Sequence, residues 1–186
     1  ISGFLTSVIS WGNRKSIIKS AKKIIEYMEN SPYDFIKNHT DSDLKTINES
    51  IHRTFNLIDL NYFIKSLKNI YNEYEGIEEI LSNKNNGSNL QERISTFKNI
   101  FFSLNCPKRS LKHLPSPIKG SSAKRFNMYL RWMVRSNNNG VDFGIWNKIS
   151  SSELSIPLDM QVNLALMEVR IWIWNPTYIL RSYSPY

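Results

Sequence analysis

Apolar side chains recur every three or four residues along most of the chain from Ser2 to Arg135. This is the spacing of one face of an α-helix. In the clearest run, from 14 to 29, the apolar residues of one face are Ile17, Ile18, Ala21, Ile24, Ile25 and Met28. No segment shows sustained alternation of apolar and polar residues, which would indicate half-buried strands. The spacing therefore predicts an all-α fold.

The same pattern predicts where the individual helices lie. A helix beginning after the Asp41-Ser42-Asp43 cap would carry Leu44, Ile47 and Ile51 on its apolar side. We expect residues 106–120 to form a loop, because Pro107, Pro115 and Pro117 interrupt any helix there. The other helices are predicted over 2–10, 14–29, a short stretch after Ser31-Pro32, 56–74, 90–104 and 121–135.

Composition limits the class of protein. The hydrophobic content of 41% and aromatic content of 12% are those of a globular domain. With one cysteine, Cys106, and three scattered histidines, no disulfide and no metal site are expected, and no cofactor is predicted. No apolar run reaches the length of a membrane span, and the start is too weakly charged for a signal peptide. We therefore expect a cytoplasmic location, a monomer and a missing segment before Ile1.

Positive charge is concentrated in the second half of the chain. The net charge is +8, and residues 101–186 carry eleven Lys or Arg against four Asp or Glu. Between Glu92 and Asp142 there is no acidic residue, while ten cations occur there. Such a one-signed block favours a polyanionic partner, with nucleic acid ahead of a membrane surface. A solvated basic surface is the plainer interpretation.

The segment KGSSAKRFNMYLRWMVR, residues 119–135, separates into two faces when it is read as a helix. Phe126, Leu130, Met133 and Val134 share the core face. Lys124, Arg131 and Arg135 share a second, cationic face with Met128. Free N–H groups at a helix amino terminus attract anions, and Gly120, Ser121 and Ser122 leave this terminus open. An ordinary surface helix with an unfavourable dipole would also explain the pattern.

A lysine at this position and a lone acid downstream form the pair needed for amine catalysis. Pro157 fixes an extended entry, and Asp159 follows it. Neighbouring positive charge and burial favour the nucleophilic form of a lysine amine. A carboxylate activates an incoming nucleophile or stabilises a sugar cation. Asp159 would equally serve as the cap of a following helix.

Most of residues 1–159 is covered by six stretches: ISGFLTSVISWGNRKSII, NSPYDFI, IHRTFN, KRFNMYLRWMVR, GVDFGIW and IPLD. Together these stretches resemble an uncharacterised bacterial family, which in turn looks like a distant branch of the helix-hairpin-helix DNA glycosylases, including the archaeal 8-oxoguanine type. The resemblance implies a two-lobed orthogonal helical bundle with a DNA-binding cleft. It divides the chain into a glycosylase-like domain at 1–159 and an atypical tail at 160–186, and it implies that the bundle is incomplete at both ends.

The resemblance also implies residue roles. Lys124, in the pattern K-x-x-N-x-x-L with Asn127 and Leu130, would be the nucleophile that attacks C1′ of a flipped-out nucleotide, and Asp159 would be the catalytic acid. Trp132 and Trp146 are the candidates for stacking on the base. The residues expected to contact DNA are Gly120, Ser121, Ser122, Arg125, Arg131, Arg135, Asn13 and Arg14, with Trp11 beside the last two.

Two features depart from the glycosylase pattern. The G-x-G hairpin is replaced by Lys119-Gly120-Ser121-Ser122, and the resemblance ends after Asp159. The predicted function is a DNA-binding protein of base excision repair type, acting as a glycosylase with or without lyase activity. The alternatives are a non-catalytic nucleic-acid-binding module with the same fold and a helical protein-interaction domain.

Overall fold

The chain folds mainly into α-helices, as predicted. The computed structural model describes residues 1–44, 49–136 and 140–156. Helices α1 to α7 cover Ser2–Ile9, Arg14–Tyr27, Pro32–Asn38, Leu57–Glu73, Ile77–Ser82, Leu90–Phe101 and Lys124–Val134. Short 3-10 turns lie at Asp41–Asp43, Lys84–Asn86, Lys108–His113, Pro117–Lys119 and Ser151–Glu153. Two-lobed organisation, implied by the resemblance, stays a prediction.

A small antiparallel hairpin stands among the helices of this mainly helical fold. Strand β1 is Ser50–His52 and strand β2 is Phe55–Asn56. Ile51, predicted on the apolar side of a helix, is instead buried in β1. Arg53 takes a left-handed backbone conformation, with φ of 51°, between the two strands. The tight turn, and not a helix, therefore brings Ile51 to the core.

Aromatic rings fill the centre of the core. Phe4 of α1 is fully buried and lies within 6.3 Å, centroid to centroid, of five other rings. These rings come from α4, α6 and α7, and they are Phe63, Phe97, Phe101, Phe126 and Tyr129. A short amino-terminal helix thus joins three others that lie far from it in sequence. Burial raises the pKa of Tyr129, which keeps its phenol neutral in this core.

Close packing of α1 against α7 positions the amino-terminal end of α7. Gly3 lies against the ring of Tyr129, where a Cβ would stand 3.7 Å from the nearest ring carbon. The Arg125 guanidinium donates a hydrogen bond to the carbonyl of Val8, near the end of α1. Helix α7 thus contacts α1 near its beginning, at Gly3, and near its end, at Val8.

The chain after α7 is tied to α6. The Arg93 guanidinium is buried. One of its terminal nitrogens pairs with Glu153, and the other terminal nitrogen donates to the carbonyl of Leu81 at 2.8 Å. The Gln91 amide donates to the Ser155 hydroxyl at 2.6 Å. The arginine partner lowers the pKa of Glu153. These bonds set the course of the chain up to Ile156, three residues before Asp159.

Candidate functional site

A cleft of about 320 Å³ opens at the amino-terminal end of α7. Its walls come from Ser7 and Val8 of α1, from residues 112–115 and from residues 121–126. Three cations line it, Lys112, Lys124 and Arg125, and no acidic residue of the described ranges does. The lining therefore suits an anionic ligand.

The first turn of α7 has no side-chain cap among the described residues. Ala123, the residue before the helix, is buried and has a left-handed backbone with φ of 49°. The Ser121 hydroxyl accepts from the Ala123 N–H at 3.2 Å, and the Asn127 amide donates to the Ser122 carbonyl at 3.0 Å. These bonds shape the turn before the helix, and a helix amino terminus of this kind attracts anions.

Lys124 is the first residue of α7 and is exposed at the cleft. Its ammonium lies where the helix dipole disfavours positive charge, and a bound phosphate would offset that effect. Ser121 and Ser122, also predicted to contact DNA, line the same cleft. Gly120 has a left-handed φ of 84° and ends the turn that leads into this wall. Asp159 lies outside the described residues, so the Lys124–Asp159 pairing stays a prediction.

The two arginines of α7, Arg125 and Arg131, and Arg135 just after the helix have different partners. Arg125 lines the cleft, and burial lowers the pKa of its guanidinium. The Nε atoms of Arg131 and Arg135 lie 3.4 Å and 3.8 Å from Oδ2 of Asp142, whose side chain is buried. Neither Arg131 nor Arg135 lines the cleft. Arg131 and Arg135 thus share one carboxylate, which reduces the positive charge they offer a phosphate.

The two tryptophans predicted to stack on a base lie at the other end of α7. The Phe143 N–H donates to the Trp132 carbonyl at 2.6 Å, and the Trp146 N–H donates to the Met133 carbonyl at 2.8 Å. The Trp146 ring meets Tyr129 edge-on at 5.4 Å. Both tryptophans are half-buried, and neither lines the cleft. The structure therefore does not bring them to Lys124.

Gly144 allows the chain after α7 to fold back on the helix. Its φ is 59°, and a Cβ there would lie 2.7 Å from the Arg135 carbonyl oxygen. Because a side chain would collide with backbone, this turn requires glycine.

Asn13 and Arg14 lie at the start of α2, away from the cleft. The Asn13 side chain accepts from the Lys15 N–H at 2.9 Å, which makes it the cap of α2. Arg14 is exposed. Trp11 contacts the hairpin, because its carbonyl accepts from His52 Nε2 at 2.8 Å and the Arg53 guanidinium lies 4.8 Å from its ring centre.

Replacing Asn13, the cap of α2, tests whether this residue stabilises the helix or contacts DNA. We expect Asn13→Ala to lower the free energy of unfolding by about 1 kcal/mol, because the Lys15 N–H at the start of α2 loses its acceptor. Duplex affinity should stay as in the wild type. Urea titrations measure the free energy of unfolding, and fluorescence anisotropy measures the duplex affinity. Weaker DNA binding at unchanged stability would instead support Asn13 as a wedge residue.

A buried carboxylate stands directly behind the cleft. Asp59 is fully buried and lies in the first turn of α4, where it exchanges hydrogen bonds of 3.1 Å with Asn56. Ser110 donates to its Oδ1 at 2.7 Å, and the Arg109 Nε does so at 3.2 Å. Burial raises the pKa of Asp59, but contacts with His113, Ser110 and the Asn56 N–H outweigh it and hold that pKa well below its usual range.

His113 joins this cluster to the cleft. Its Nε2 lies 3.3 Å from Asp59 Oδ2, and its ring meets Phe55 edge-on at 4.9 Å. Sequence reasoning missed the pair, because the two residues are far apart and His113 was set aside as an isolated histidine. Only the Asn56 and Asp59 spacing, which is that of a capping box, gave a signal in the sequence.

Metal binding has no support in the described ranges. No three His, Cys, Asp or Glu side chains there come together as metal ligands would. Within the same ranges, no helix is both long and apolar enough to cross a membrane.

Comparison with known proteins gives the family of this chain. A family model described as a protein of unknown function, DUF2400, matches residues 1–171. The chain belongs to the DUF2400 family. No curated protein and no solved structure matches it. The DUF2400 match includes every residue that lines the cleft, and it includes Asp159. The last fifteen residues of the chain lie outside the match.

Proposed function

We propose that this DUF2400 protein is a DNA-binding protein of base excision repair type, which holds a flipped-out nucleotide in the cleft and attacks its C1′ with the Lys124 amine. The observation that carries the proposal is the cleft itself, where Lys124 and the uncapped first turn of α7 lie among cations. Phosphate at the helix terminus and an amine beside it are what this chemistry requires.

The surroundings of the cleft fit a nucleic-acid backbone. Lys108, Lys112 and Lys119 are exposed in the segment that forms or adjoins its wall. Lys98, beside them, donates to the Leu114 carbonyl at 2.7 Å and fixes that wall to α6. Burial, together with the charge of Lys119, lowers the pKa of Lys98. Exposed lysines of this kind bind phosphates in a salt-dependent manner.

Borohydride trapping on a duplex with one abasic site tests the proposal. The Lys124 amine would form an imine with the C1′ aldehyde, which borohydride reduces to a stable crosslink. We expect an adduct with the wild type and none with Lys124→Ala. Lys119→Ala is the matched control, because it removes a nearby exposed cation that does not line the cleft, and it should still form the adduct.

Two results would contradict the proposal. One is equal trapping by the wild type and Lys124→Ala. The other is a wild type that neither forms an adduct nor releases a base from duplexes carrying 8-oxoguanine. In the second case, salt-dependent duplex binding would identify a non-catalytic module, which the exposed lysines favour. Absence of any duplex binding would favour the protein-interaction alternative.

A further inference from the structure

We propose that His113 is the proton-transfer group of the cleft and that Asp59 is its positioning residue; the inference rests on the function proposed above. His113 is only 4% exposed, yet it lines the cleft together with Lys112 and Lys124. His113 therefore belongs both to the buried cluster around Asp59 and to the wall of the cleft.

Asp59 and its neighbours hold the imidazole in one orientation. Nε2 of His113 is buried and lies 3.3 Å from Oδ2 of Asp59, an ionic contact that falls short of hydrogen-bond geometry. Phe55 and Phe63 meet the ring edge-on at 4.9 Å and 6.4 Å, which prevents the ring from turning away. In the described ranges no residue hydrogen-bonds Nδ1. With a proton on Nε2, Nδ1 is an acceptor for a proton from the cleft.

The charges around His113 suit a group that takes up a proton and returns it. Asp59 faces it from α4 and would stabilise the imidazolium. Arg109 already balances that carboxylate, since its terminal nitrogen lies 3.1 Å from Oδ2. On the cleft side the cations Lys112, Lys124 and Arg125 oppose a lasting positive charge. His113 therefore has a carboxylate on its buried side and cations on the cleft side.

The Lys124 ammonium must give up a proton before its nitrogen can attack C1′, and a proton acceptor in the cleft would take it. The Lys124 side chain is exposed at the cleft, and the nucleophilic amine forms only when a neighbouring group takes up a proton. An acid–base residue near the amine performs this conversion in enzymes that use lysine nucleophiles.

The proton balance at an abasic site is simple. Lys124 Nζ gives one proton to His113 Nδ1, and its freed electron pair forms a bond to C1′ of the aldehyde. A second Nζ proton moves to the aldehyde oxygen, giving a hydroxyl. His113 returns its proton to that hydroxyl, the C1′–O bond breaks, and water leaves with the electron pair. An iminium between Nζ and C1′ remains, and Asp59 stays ionised throughout.

Single-turnover trapping on the abasic duplex, measured from pH 5 to 9, tests this role. We expect His113→Gln to slow adduct formation about 100-fold, the scale of general acid–base catalysis, and to flatten the pH dependence. Duplex affinity should change less than about twofold, because the phosphate contacts remain. His52→Gln is the matched control: it removes another buried histidine, bonded to Ser20 and Trp11 outside the cleft.

A second measurement uses the wild type and so does not depend on how the variant folds. The chain has three histidines, whose ring signals can be followed by NMR during titration with a duplex carrying a tetrahydrofuran abasic analogue. We expect the His113 signals to move at saturation and those of His39 and His52 to stay in place.

Distinct results overturn the two proposals. A wild type that forms no adduct and releases no base contradicts the proposed function, and the role of His113 falls with it. If the wild type forms the adduct, then an unchanged rate and pH profile in His113→Gln overturn the role of His113 alone. Unmoved His113 signals at duplex saturation do the same.

Discussion

Replacing Phe4 by alanine is expected to destabilise the protein by about 3–5 kcal/mol, the range for a fully buried phenylalanine. The ring is 0% exposed and contacts Phe63, Phe97 and Phe101 as well as the rings of α7. Its removal leaves a cavity shared by four helices, which cannot all close at once. The free energy of unfolding from urea titration, with the denaturant slope checked for constancy, measures the effect.

Ile18→Ala is the control for the loss of an apolar side chain. Ile18 is 47% exposed on α2, so we expect a change within about 0.5 kcal/mol. A cost below 1 kcal/mol for Phe4→Ala would contradict the central place of this ring. Because Phe126 and Tyr129 belong to the same cluster, the variant should also loosen α7, which carries Lys124.

Helix periodicity in the sequence was enough to predict α1 and α7, the two helices that contribute to the cleft. Their apolar faces were recognised from their spacing, and α7 was expected from Ser121 to Arg135. It begins at Lys124 instead, because Ala123 has a left-handed backbone. This difference places Lys124 at the first helical position, and the anion site there stays a prediction.

The short strands, the short helix α5 and the Asp59–His113 contact were not predicted from the sequence, for physical reasons. Strands of three and two residues, such as those holding Ile51 and Phe55, are too short to show a period. Helix α5 has apolar residues at Ile77, Ile80 and Leu81 after the left-handed Gly76, a signal that was present but brief. The Asp59–His113 contact joins distant parts of the chain, and no local pattern encodes such a contact.

Replacing Asp59 by alanine is the second change for which a large loss of stability is expected, about 3–5 kcal/mol. Ser110 and the Asn56 N–H would each lose a buried acceptor, His113 would lose the adjacent carboxylate, and each buried donor left unpaired costs about 1–3 kcal/mol. Thermal and urea unfolding, monitored by circular dichroism, would measure the loss. Asp41→Ala is the control, since Asp41 is exposed on a surface turn, where its ion pair with Lys65 at 2.6 Å contributes little to stability.

The same carboxylate also determines how stability responds to acid. The pKa of Asp59 is lower in the folded protein than its ordinary value of 3.8. Its contribution is therefore complete above that value and is lost as the pH falls below it, because protonation then favours the unfolded chain. Asp59→Asn should remove this part of the acid dependence, so the stability difference from the wild type shrinks as the pH is lowered from 6 to 2. An undiminished difference across that range would contradict an ionised Asp59 behind the cleft, and with it the means by which His113 is held.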